Sequence, residues 1–200
     1  MARYVGRENV RKRLSALEDG RTVYADGAVR FETPAETLSV RPPFGLPHSG
    51  SYDSLELGPL FEALDADHVI AALLVRLGGY AVGVFEGERL VASKVGSRFV
   101  KGRHKKGGSS SSRFRRRREE QARALTEGAA ETAVRVLEPY RDLIEFVALG
   151  GDRRAVEAVL EDPRLAWLRE RALERFFTVG GPRLRDLERL PYDLYAAEIA

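Results

Sequence analysis

The 200-residue chain contains no cysteine. Disulfides and thiolate metal ligands are therefore excluded, and nothing points to an oxidising compartment. Histidine is scarce and scattered, at His48, His68 and His104, which argues against an imidazole metal site; no metal or cofactor is expected. No run approaches the roughly 18 apolar residues of a membrane span. The opening MARYVGRENVRKRL is charged and lacks the apolar core of a signal peptide. A cytoplasmic protein without membrane attachment is the expectation. Glutamine occurs once, at Gln121. The most informative absence is local: from Lys94 to Arg118 there is no Asp or Glu, against eleven Lys and Arg. Because the whole chain is only +3, the remaining residues carry −8. So segregated a block of like charge calls for a polyanion whose counterions are released on binding, and nucleic acid is the first candidate.

What is present describes a globular chain, 44% apolar and 32% charged, long enough for one sizeable core. The expectation is a single domain over 1–200. Residues 1–59 supply a helix, a hairpin and a long loop, and 60–200 supply the main core. Asn9 can cap a short helix carrying Val10, Leu14 and Leu17, which Gly20 would end. TVY and VRF flank Asp26-Gly27, a tight-turn pair that predicts a hairpin. Residues 33–59, crowded with Pro and Gly, read as one long connection. VIAALLVRL is apolar on both faces, as in a central strand, and Gly78-Gly79 and Glu86-Gly87-Glu88 turn it into YAVGVFE and then RLVASKV. That predicts an antiparallel meander over Val69–Val95, with the basic segment leaving its end as an excursion from the core. Beyond it, Phe114, Ala122, Leu125, Ala129, Ala133 and Val136 repeat at helical spacing up to Pro139. LIEFVAL reads as a strand, Asp152 as the cap of RRAVEAVL, RLAWLRERAL as a helix, RFFTV as a strand and Leu184–Leu190 as a last helix. The fold class is α/β: a mixed sheet built on an antiparallel meander, with flanking helices.

The segments GSRFVKGRHKKGGSSSSRFRRRREEQARAL, GGDRRAVEAVLEDPRLAWL and RFFTV resemble the actinobacterial type of the Vms-like release factor family. This family is related to the middle domain of eukaryotic and archaeal peptide-chain release factors. The resemblance extends over roughly Val69–Leu190. It implies a ribonuclease H-like sheet carrying a loop that reaches the peptidyl-transferase centre of the large ribosomal subunit. There the family hydrolyses the ester between a nascent chain and tRNA. The implied partners are the large subunit, its ribosomal RNA and peptidyl-tRNA. The family's loop resembles Gly-Gly-x-Ser-Gln-Gln-Arg-Phe; Gly107, Gly108, Arg113 and Phe114 match, but Ser111 stands at the active glutamine and Ser112 at the second.

Ester hydrolysis needs a positioned water and donors for the developing oxyanion rather than a strong protein nucleophile. Gly107 and Gly108 would let backbone N–H groups approach where a Cβ would collide. Ser111 or Ser112 could orient water through a hydroxyl shorter than the glutamine amide. Arg98, Lys101, Arg103, Lys105, Lys106, Arg113, Arg115, Arg116, Arg117 and Arg118 are the candidate RNA-phosphate ligands, arginine suiting the role by its planar fork. Three competing readings stand beside this one. In the first, a catalytically silent factor binds the same ribosomal site. In the second, a Ser-His hydrolase uses His104 as base to one of Ser109–Ser112, although no acid lies in the loop and nothing resembles a nucleophile elbow. The third is a stand-alone ribonuclease, which the sequence disfavours for want of clustered carboxylates that would hold two metals.

Overall fold

The computed structural model describes residues 3–97 and 111–200, by backbone alone at 111–115 and 118. The excursion expected of the basic loop lies largely outside these residues. Strand β1 (Arg3–Gly6) runs directly into α1 (Arg7–Leu14), so the helix starts ahead of the Asn9 cap that the sequence favours. Gly6 precedes it without a side-chain cap, its position being set by strand pairing at residue 196. Strands β2 (Arg21–Ala25) and β3 (Ala28–Glu32) form the expected hairpin. Asp26 (φ 53°) and Gly27 (φ 70°) both take the left-handed conformation that its turn requires. The stretch expected as one long loop holds two strands, β4 (Thr37–Arg41) and β5 (Gly50–Tyr52). Pro34, Pro42, Pro43 and Pro47 fall between the strands, where no ladder donor is lost. Helix α2 (Gly58–Asp65) follows, with Pro59 in its first turn.

The meander forms as β6 (Val69–Arg76), β7 (Gly79–Glu86) and β8 (Arg89–Ser97). Helix α3 (Ser111–Leu137) gives way to a 3-10 turn at Pro139, and β9 (Phe146–Gly151) precedes α4 (Arg153–Val159). Asp152 caps α4 as expected, its carboxylate accepting the Ala155 N–H at 3.0 Å. The single helix expected over RLAWLRERAL is broken up. A 3-10 turn at Pro163–Leu165 and the short α5 (Trp167–Glu170) lead into β10 (Ala172–Phe177), because Ala172 already pairs with β9. Helix α6 (Leu184–Leu194) and β11 (Ala196–Ile199) complete the chain.

The strands make two sheets, β1-β11-β4-β3-β2-β5 and β10-β9-β6-β7-β8. Where the sequence suggests one domain divided near residue 59, packing groups Met1–Asp67 with Leu190–Ala200 and His68–Arg189 as a second compact unit. In the first unit every strand pair is antiparallel. Val10, Leu14, Phe31, Val40, Leu60 and Ile199 are among its buried core residues. Two polar groups are buried there with partners: the Thr22 hydroxyl donates to the Ser54 carbonyl at 2.9 Å, and Tyr24 donates to that of Glu56 at 2.7 Å. Burial pushes the Tyr24 phenol up to about 12.

In the second unit β6 sits at the centre, antiparallel to β7 and parallel to β9, which in turn is parallel to β10. This order and direction are compatible with the expected ribonuclease H-like sheet. Leu73, Val75, Val82 and Val84 pack in one cluster with Leu137, Ala129 and Ala133 of α3 and with Val156 and Val159 of α4. The alternate residues Ile70, Ala72 and Leu74 are equally buried, so the apolar run on both faces reports a strand covered on both sides.

Candidate nucleic-acid interface

β6, β8, β9 and β10 run in one direction and β7 against them. One end of this sheet therefore gathers the end of β8 at Ser97, the Leu77-Gly78 turn and the ends of β9 and β10. The carboxyl ends of parallel strands are where open α/β sheets bind ligands. Glycine permits close backbone approach here. Gly151 has φ +102°, and a Cβ on it would lie 2.1 Å from the Val75 carbonyl oxygen; the next residue, Asp152, donates its N–H to that oxygen at 2.7 Å. The start of α4 is thereby pinned to the end of β6. Across β8, Gly96 leaves room for the Tyr80 ring, which a Cβ would meet at 2.3 Å, and the Tyr80 hydroxyl pairs with the buried Thr132 hydroxyl of α3 at 3.0 Å. One tyrosine thus links the strand that leads into the basic segment to the helix that follows it.

Among the described side chains of helix α3, Leu125 is the first buried one, ahead of Ala129, Ala130, Thr132, Ala133 and Leu137. At 1.5 Å per residue, the turns from Ser111 to Leu125 extend for about 21 Å. Arg116 and Arg117 are exposed on this stretch. Arg116 pairs with Glu120, just beyond the acid-free run, at 3.1 Å, as i,i+4 neighbours do. Between α3 and α4 a cleft of about 660 Å³ is lined by Leu77, Ala122, Leu125 and Ala155 together with Arg123 and Arg154. Thr126, Glu127, Asp152 and Glu161 also line it, and neither serine nor histidine does, so it holds no Ser-His pair.

Charge is distributed unequally between the two ends of the sheet. At the amino end, Arg89 pairs with Glu86, Arg141 with Glu138 at 3.5 Å and His68 with Glu145 at 2.9 Å. Arg171 donates to the Arg141 and Ile144 carbonyls at 2.6 and 2.7 Å. At the carboxyl end, Arg76, Arg153, Arg154 and Arg183 are exposed, and none forms an ion pair among the described residues. Glu157 is one turn from Arg153 but pairs with Arg169 at 2.5 Å. Arg76 donates to the Val179 carbonyl at 2.9 Å, which leaves its charge unneutralised, and Arg153 lies 4.3 Å over the Phe176 ring.

Of the residues singled out in the sequence, Arg98, Lys101, Arg103, His104, Lys105, Lys106, Gly107 and Gly108 lie outside the described residues. Ser111 and Ser112 open α3, and Arg113, Arg115 and Arg118 follow on its backbone. Arg116 and Arg117 are brought onto one exposed helical stretch. Gln121 is ten residues beyond Ser111 on the same helix, about 15 Å along its axis, too far to replace a glutamine at the helix start. Sequence reading missed Arg76, Arg153, Arg154 and Arg183, which lie in three separate chain segments and form no long run. Among the described residues no three His, Asp or Glu side chains group to hold a metal, and no helix is long and apolar enough to cross a membrane.

By fold and charge, this is a mixed α/β protein with a cationic segment between an edge strand and a long helix. A sequence model of the Actinobacteria/chloroflexi VLRF1 release factor family matches residues 68–200, and the chain belongs to that family. No curated protein matches. Similar solved structures include the archaeal translation termination factor aRF1, at 18% identity and TM-score 0.48, matched over 94% of this chain and 54% of that one. An archaeal protein is matched at 18% identity and TM-score 0.41 over 94% and 55% of the two chains. The Vms1 mitochondrial localization core is matched at 14% identity and TM-score 0.49 over 96% and 80%. The chain thus spans about half the length of the first two.

Proposed function

We propose that this protein is a cytoplasmic, ribosome-associated peptidyl-tRNA hydrolase of release-factor type that frees stalled nascent chains on the large subunit without a metal or cofactor. The observation that carries the reading is the family match over 68–200, which includes the Gly-Gly segment and the arginine-bearing start of α3. In this reading the arginines and lysines of the basic segment neutralise ribosomal RNA phosphates. Gly107 and Gly108 bring backbone N–H groups to the ester oxygen, and Ser111 or Ser112 orients the attacking water. Water adds to the ester carbonyl and the bond to the tRNA ribose oxygen breaks. The peptide leaves as a carboxylic acid, and a proton from the water passes to the leaving ribose oxygen, which becomes the hydroxyl.

A second reading is favoured by one specific feature. By the resemblance, Ser111 and Ser112 stand where the family's loop has its two glutamines, so the chain could bind the same site as a silent factor. Peptide release from peptidyl-tRNA on purified large subunits separates the two. The hydrolase reading predicts slow release by the parent chain and faster release by Ser111→Gln at unchanged subunit affinity, because the amide acts in the transition state. Ser112→Gln serves as the register control. Tight binding with no release by the parent or either variant would leave the silent factor.

A further inference from the structure

We infer that the carboxyl end of the five-stranded sheet is a second RNA contact, separate from the basic segment, in which Arg76, Arg153, Arg154 and Arg183 grip the sugar-phosphate backbone of duplex RNA. The inference rests on the release-factor reading for its biological setting, but its argument uses only described residues. The four arginines come from three separate chain segments that the fold brings to one strand end. Arg76 closes β6 opposite Gly79. Arg153 and Arg154 follow Gly151, which pairs with Val75. Arg183 follows Pro182, whose carbonyl oxygen lies 3.5 Å from the position of a Cβ on Gly79. Gly79 in turn pairs with Ser97, where the basic segment departs. The contact would therefore continue the footprint of that segment onto the body of the unit.

The charges are kept available by local arrangements. Glu157 turns to Arg169, the Asp152 carboxylate is committed to the Ala155 N–H, and Asp186 accepts the backbone N–H of Arg183 at 2.9 Å. The chemistry selects duplex over single strand. Binding of single strands relies on aromatic platforms for unstacked bases. Of the aromatic rings at this end, Phe176 lies beneath Arg153, Phe177 is buried, and Tyr80 is bonded to α3. Among the described residues this surface carries cationic forks and no open ring, and such a surface engages phosphates without reading sequence.

The test uses the full chain and fluorescence anisotropy with a 20-base-pair RNA duplex and one of its single strands across a salt series. The variant Arg153→Gln, Arg154→Gln, Arg183→Gln should bind the duplex at least tenfold more weakly than the parent. Its log affinity against log salt should be shallower by about 2.7, about 0.9 for each of the three phosphates no longer neutralised. The single strand should lose less than the duplex. The control Arg89→Gln, Arg141→Gln at ion-paired positions of the amino end should stay within twofold of the parent. Three results would overturn the inference: duplex affinity and slope unchanged in the triple variant, an equal loss in the control pair, or an equal loss for polyglutamate binding, which would mark an acidic-protein surface. If the parent fails to bind duplex but still binds large subunits, this inference falls and the release-factor reading stands; failure to bind either overturns both.

Discussion

The two ends of the five-stranded sheet are made from the same strands and a similar number of arginines, yet they treat charge in opposite ways. At the amino end each cation considered has an internal acceptor: Glu86 for Arg89, Glu138 for Arg141, Glu145 for His68, and two carbonyls for Arg171. At the carboxyl end Arg76, Arg153, Arg154 and Arg183 stand exposed without an ion pair among the described residues, beside the strand that enters the basic segment. Exposed pairs contribute little stability individually, so their absence costs the fold almost nothing. Leaving arginines unpaired preserves charge for a partner. One end holds charge within the fold and the other presents it.

The largest expected effect comes from disturbing the backbone that holds the open end in place. Gly151→Ala would place a Cβ 2.1 Å from the Val75 carbonyl oxygen at φ +102°, so both sterics and conformation oppose it. A loss of about 3–4 kcal/mol in urea unfolding is expected, in the range of backbone strain combined with overpacking. A loss below about 1 kcal/mol would show that the β9 end is not pinned. Tyr80→Phe is a milder change. It removes the bond to Thr132 and leaves that buried hydroxyl without its tyrosine partner, which should cost about 1–2 kcal/mol. Unaltered unfolding would mean that the ring alone joins β8 to α3.

The smallest effect belongs to the amino end and to acid. Burial alone would raise the Glu145 carboxyl, but hydrogen bonds from His68 and the Val69 N–H, with the His68 charge, hold it below its ordinary value of 4.5. A carboxylate with a depressed pKa contributes stability that is complete above its unfolded value and is lost as pH falls through the folded one. The parent should therefore lose stability below about pH 4.5 more steeply than Glu145→Gln, which is expected to be the less stable of the two at neutral pH. Identical pH slopes in urea midpoints would remove the pair from the account.

Much of this unit was legible because its signals are local. Glycine turns separate β6, β7 and β8; the apolar run of β6 reports burial on both faces; and Asp152 announces α4. The short strands β1, β4, β5 and β11 gave no comparable signal. Residues 3–6 become a strand only by pairing with 196–199, and 50–52 by pairing with 22–24, so their structure is decided by partners remote in sequence. Ala172–Phe177 reads partly as the end of a helix until its pairing with β9 is considered. The same distinction governs the candidate interface. A contiguous basic segment is visible by inspection, whereas Arg76, Arg153, Arg154 and Arg183 acquire a common surface only through the fold. Their lack of ion pairs was hidden too, since Glu157 lies at helical spacing from Arg153 and yet turns to Arg169.

The central claim, that this chain presents arginines to RNA, is tested most directly by measuring its affinity for purified large ribosomal subunits across a salt series. The account predicts a log–log slope on the order of −4 for about five phosphate contacts, using the single-strand coefficient as a guide. Arg115→Ala, Arg116→Ala, Arg117→Ala should reduce the slope and weaken binding at least tenfold while leaving thermal unfolding nearly unchanged. Affinity independent of salt, or binding by the triple variant indistinguishable from the parent, would contradict it.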